Sequence, residues 1–64
     1  MTFYVTFGQK SPFRNGWVEV EAENYRIVRQ LVIDALGSSY SMIYDEHEFN
    51  REYFPQGKLG ETLK

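Results

Sequence analysis

The 64-residue chain contains no cysteine. No disulfide or thiolate metal site can staple it, and a domain this small sits near the lower limit for folding alone. There is one histidine, His47, so no second imidazole can serve as a base. A Gly-rich phosphate loop and an activated nucleophile are also missing. No apolar run is long enough for a membrane span. The opening residues Met1-Thr2-Phe3-Tyr4-Val5 lack a signal peptide's basic start and apolar core, and a cytoplasmic location is expected. Repeats, linkers and low-complexity stretches are absent. Seven basic residues against nine acidic ones leave a net charge of −2. A dedicated nucleic-acid binder has a basic excess, so DNA or RNA is not the expected ligand. The charge is also too small for an acidic mimic of DNA.

Aromatic residues are plentiful: five Phe, five Tyr and one Trp. Each can bury roughly 150–250 Å². That is how so short a chain gathers a core, with oligomerisation as the other common remedy.

The rest of the sequence is arranged about one helix, expected from Tyr25 to Leu36. Asn24 is a suitable N-cap and Gly37 a suitable stop. Ile27 stands three residues after Asn24, so no capping box forms. Val28, Leu31, Val32, Ala35 and Leu36 recur at three- and four-residue spacings, with Tyr25 at the edge of the stripe. Arg26, Arg29 and Gln30 lie opposite. Ile33 falls among them, either as a lone exposed apolar residue or as the centre of a partner-facing patch.

Phe3 to Phe7 reads as a strand with Phe3, Val5 and Phe7 on one face and Tyr4 and Thr6 on the other. Gly8 to Gly16 reads as a long hairpin connection carrying Lys10 and Arg14, with Pro12 and Asn15-Gly16 as turn signals. Trp17 to Ala22 alternates Val18, Val20 and Ala22 against Trp17, Glu19 and Glu21. Ser38-Ser39 connects the helix to a third strand, Tyr40 to Tyr44. Asp45 then suits the N-cap of a second, short helix, with Glu48 at its third position. Pro55 and Gly57 end that helix, and residues 58–64 are expected to fray.

The expected fold is α+β in a single domain, residues 1–64. A three-stranded antiparallel sheet (ββαβ, order 2-1-3) packs on one helix, with a short C-terminal helix after it. The strand–helix–strand crossover sets the third strand parallel to the second, and order 2-1-3 is preferred because, beside the first strand, it makes every neighbour antiparallel. The helix covers the Val5/Val20 face.

Several stretches resemble a family of small uncharacterised proteins of tailed bacteriophages and prophages. They are Tyr4-Val5-Thr6-Phe7-Gly8-Gln9, Gly16-Trp17-Val18-Glu19-Val20-Glu21-Ala22 with Gly37, Tyr44-Asp45-Glu46-His47-Glu48-Phe49, and Tyr53-Phe54-Pro55-Gln56-Gly57. The resemblance spans nearly the whole chain. It implies a viral source and expression in a bacterial host cytoplasm, and brings no catalytic residues with it.

His47 beside Asp45, Glu46 and Glu48 invites a metal reading. Adjacent residues of one turn point in different directions and cannot converge on an ion, so a solvated capping turn is expected, with no metal or cofactor. The Tyr4/Trp17 sheet face has no helix to cover it. Either the tail buries it through Tyr53 and Phe54, or it serves as a contact surface. Glu19 and Glu21 on that face repel phosphate, so protein ranks above nucleic acid. The expected function is a small non-enzymatic protein-binding module. Inhibition of a host factor or of a defence system, as an anti-CRISPR does, is suggested by the apparent source alone. The expected contact residues are Trp17 and Tyr4 on the sheet and Ile33, Arg26 and Arg29 on the helix. The alternatives are a nucleic-acid-binding module using Trp17, Tyr4, Lys10 and Arg14, and a self-assembling structural protein.

Overall fold

The computed structural model describes residues 1–64 and is α+β. Strand β1 (Thr2–Thr6) and strand β2 (Gly16–Glu21) pair antiparallel, with Val5 opposite Val18 and Phe3 opposite Val20. Helix α1 (Tyr25–Leu36) follows. Asn24 Oδ1 accepts the N–H of Ile27 at 3.0 Å, which satisfies one of the orphan donors at the helix start. Gly37 ends the helix at φ 62°, its N–H bonding the Ile33 carbonyl. The left-handed conformation there suits a residue without Cβ.

Strand β3 (Met42–Asp45) lies antiparallel to β1 on its other side. The expected order 2-1-3 is therefore present, within a larger sheet. The third strand starts two residues later than its expected Tyr40: Tyr40 turns inward to pack against the core, and Ser41 N–H bonds the Thr6 carbonyl at 2.8 Å.

Two features differ from the sequence reading. The sheet has four strands and is mixed, in the order β3-β1-β2-β4, because β4 (Gly57–Lys58) pairs parallel to β2. The tail expected to fray is tied along β2. Leu59 N–H bonds the Trp17 carbonyl at 2.7 Å, Leu63 N–H bonds Glu19 at 2.9 Å, and Glu21 N–H bonds Leu63 at 2.8 Å. Leu59 and Leu63 pack against the core, and their burial compensates the ordering of a polar segment.

Nor does a second α-helix form after Asp45. Asp45 Oδ1 accepts the N–H groups of His47 and Glu48, both at 2.9 Å, and caps a single turn. A 3-10 turn, Arg51–Tyr53, then forms under the Asn50 side chain, which accepts from Glu52 N–H. The break has a geometric cause. Phe49 and Phe54 are stacked on each other at 5.2 Å, but five residues along an α-helix would set them roughly 140° apart.

The sheet is covered on both faces. Beneath α1, Phe3, Val5, Phe7, Val18, Val20, Val28 and Val32 form the main core. Leu31 and Leu36 flank it, while Ala35, expected in the stripe, is exposed because its short side chain falls outside the contact. Over the opposite face lies the 45–54 segment.

Candidate functional site

One end of the main core opens into a cleft of about 450 Å³. Its floor is Phe7 and Val18, neighbouring residues on the helix-covered face of the sheet. Leu36 and Ser39 at the end of α1 form one wall. Leu59 and Gly60 of the tail form another, and Ser11, Pro12 and Phe13 close the third side. The lining carries no carboxylate, imidazole or amine. Its hydroxyls are locally engaged: Ser11 Oγ accepts the N–H of Phe13 at 3.0 Å, and Ser39 Oγ donates to the Leu36 carbonyl at 2.6 Å. Such a lining suits apolar groups.

The connection between β1 and β2 is a string of turns. Ser11 N–H bonds Gly8, Arg14 N–H bonds Ser11, and Gly16 N–H bonds Phe13. These bonds hold the Phe13 ring 5.7 Å from that of Phe7 while leaving Phe13 about half exposed, at 48%. Lys10 and Arg14 flank this wall, both exposed and neither in an ion pair.

The Tyr4/Trp17 face is covered within the chain: both residues, expected as contact residues, are only 7% exposed. Phe49 stacks on Tyr4 at 4.4 Å and meets Trp17 edge-on at 5.2 Å. The guanidinium of Arg51 lies 5.7 Å above the Tyr4 ring and 5.6 Å above the Trp17 ring, in cation–π range of both, and makes a long 3.3 Å bond to the Tyr4 hydroxyl. Phe49, Phe54 and Arg51 form this cover. Tyr53, expected to take part, is 75% exposed. Trp17 Nε1 is buried with no hydrogen-bond partner.

The helix residues Arg26, Arg29 and Ile33 are exposed, Ile33 at 45%. Ile33 borders a shallow depression with Gly37, Ser38, Tyr40 and Ser41, beside the start of β3, where Met42 is also half exposed. The structure thus separates the expected contact residues into three places. Tyr4 and Trp17 are buried, Lys10 and Arg14 flank the cleft, and Arg26, Arg29 and Ile33 lie on the outer face of the helix.

Two carboxylates are held below the usual glutamate range. For Glu19 the main cause is a 2.6 Å bond from the Thr62 hydroxyl, assisted by Lys58 at 3.4 Å and by Arg51. For Glu21 it is the amino terminus at 2.9 Å, with Thr2. Both groups fasten chain ends to β2. Neither lines the cleft.

No protein-family model, curated protein or solved structure matches the chain. No helix is long and apolar enough to cross a membrane. The cleft was not legible in the sequence because it joins residues from four separate segments. Phe13 was the available signal: an aromatic residue between two cations, in a connection otherwise made of turn formers.

Proposed function

We propose that the chain is a small non-enzymatic protein-binding module of phage type, acting in the bacterial host cytoplasm on a host factor or a defence component, as an anti-CRISPR does. The observation that supports binding is the open apolar cleft with Phe13 half exposed in its wall. Apolar pockets with an aromatic rim are where interface anchors seat. The viral and inhibitory parts of the reading rest on the resemblance. The test is a pull-down from bacterial lysate with the tagged chain and with Phe13→Asp. Wild type should recover one stoichiometric protein that survives nuclease treatment, and Phe13→Asp should lose it. Nuclease-sensitive recovery would favour nucleic acid.

Self-association is a second reading, favoured by the unpaired outer edge of β3, with Met42 exposed on that strand and Ile33 exposed on the helix. An unpaired strand edge can template pairing with another chain. Ile33→Asp should leave the melting temperature nearly unchanged, since exposed substitutions usually cost less than about 0.5 kcal/mol. It should also dissociate any oligomer seen by analytical ultracentrifugation. A monomeric wild type at high concentration rejects this reading.

A further inference from the structure

We propose that the cleft takes an apolar side chain presented by an acidic stretch of a partner protein. This rests on the reading of the chain as a protein-binding module and names the chemistry of what it binds.

The argument begins with charge. The chain is acidic overall, but the segment from Gly8 to Gly16 holds Lys10 and Arg14 and none of the nine acids. Among the other cations, Lys58 is engaged with Glu19, Arg51 lies over Tyr4 and Trp17, and Arg26, Arg29 and Lys64, though also without an ion pair, adjoin no lining residue. Lys10 and Arg14 have no such partners. Each is adjacent in sequence to a lining residue, Lys10 to Ser11 and Arg14 to Phe13. The basic charge is therefore attached to one wall of the apolar space.

Other charged residues also adjoin the lining, among them Lys58, which precedes Leu59 and is engaged with Glu19. Glu19 follows Val18, but its carboxylate is occupied by Thr62 and Lys58. Glu61 follows Gly60 on the tail wall, is exposed, and makes no ion pair. The rim is thus basic on the loop side and acidic at one point on the tail side. An acidic stretch lies along the loop, its apolar residue enters the cleft beside Phe13, and Glu61 opposes it weakly.

The loop arrives prepared for this. Its three backbone bonds and the Ser11 contact to Phe13 N–H fix the wall before anything binds, so little ordering entropy is lost. Nucleic acid fits the same cations less well. A base needs polar groups to read its edges, and the cleft offers two hydroxyls that are already engaged.

The test is an NMR titration with capped pentapeptides. Asp-Asp-Leu-Asp-Asp should shift the resonances of Phe13, Val18, Leu36 and Leu59. At low salt it should bind roughly three- to tenfold more tightly than Ser-Ser-Leu-Ser-Ser, the scale of two exposed charge pairs. Asp-Asp-Ala-Asp-Asp should bind weakly. The double variant Lys10→Glu with Arg14→Glu changes only exposed side chains, so it should keep the wild-type melting temperature while abolishing the preference for acid. Glu61→Gln should strengthen that preference. Equal binding of the acidic and neutral leucine peptides overturns the partner chemistry while leaving the cleft as a protein-docking site. Failure of both leucine peptides to shift the cleft resonances overturns the docking reading as well. Salt-sensitive binding of oligothymidylate at the same resonances, lost in the double variant, would replace the acidic peptide with nucleic acid.

Discussion

Gly16 shows how much one residue can decide in a chain this small. A Cβ there would stand 2.8 Å from Leu59 Cγ and 2.9 Å from the Gly57 carbonyl oxygen. The leucine could shift, but the carbonyl belongs to the backbone of β4 and has less freedom. Gly16→Ala is expected to lift the tail off β2 at a cost of roughly 1–3 kcal/mol, the usual range for overpacking. Chemical denaturation measures the cost, and hydrogen exchange at Leu59 and Leu63 shows whether the tail has lifted. Unchanged protection at those amides would mean that the pairing tolerates the methyl group. Asn15-Gly16 reads in sequence as a turn signal, which hides this second role: the need for space comes from a segment some forty residues later. Asn24 and Gly37 were legible because a helix end is satisfied locally, by the residue that occupies it.

Glu19 carries a pH dependence whose sign follows from its contacts. Its folded-state pKa lies below the ordinary value of 4.5, so the ionised form stabilises the fold. That contribution is complete above 4.5 and is lost as the pH falls through the lowered folded-state value. Glu21 acts in the same direction through the amino terminus. The urea midpoint should therefore fall as the pH is lowered from about 6 to about 3. Glu19→Gln should flatten part of that slope, and an identical slope in this variant would show that Thr62 and Lys58 contribute nothing.

At the scale of elements, the cover over Tyr4 and Trp17 was half legible. Tyr53 and Phe54 read as a tail that could fold back, and the expected face was right. Phe49 and Phe54 pack back on the body as expected, while Tyr53 does not, because stacking puts Phe49 and Phe54 on one side, which a continuous helix cannot provide. Arg51 reads as a surface cation until the rings beneath it are known. Phe49 touches Tyr4, Trp17, Tyr44 and Phe54. Phe49→Ala should cost up to about 3 kcal/mol, the low end for a core phenylalanine, because Phe49 is only partly buried. It should also shift the emission of the single tryptophan to the red as water reaches Trp17. A loss of stability without that shift would place the damage elsewhere than on this face. The main helix was legible to its end residues, since a 3.6-residue period over twelve positions outweighs local ambiguity.

Across the whole molecule, a sheet with both faces covered is how 64 residues without cysteine obtain two small hydrophobic clusters. The hairpin followed from alternation, and the 2-1-3 order from the preference for antiparallel neighbours. The fourth strand did not, because Gly57–Lys58 is too short to show a period and pairs with a strand far away in sequence. The cleft shares that origin: without the tail along β2 it would lose the Leu59 wall.

The two ends of the chain lie on either side of the same end of β2. The Met1 carbonyl accepts the N–H of Ala22, and the Leu63 carbonyl accepts that of Glu21, so the first and the next-to-last residues bond to consecutive positions of one strand segment. The backbone is nearly a ring. A short flexible linker from Lys64 to Met1, with the ring reopened in the exposed Gly37–Ser39 connector, should give a circular permutant that keeps this architecture, since such connectors tolerate new ends. The permutant would begin on β3, reach β4, and enter β1 only through the linker. The same native contacts would then be closed in a different sequence of loops.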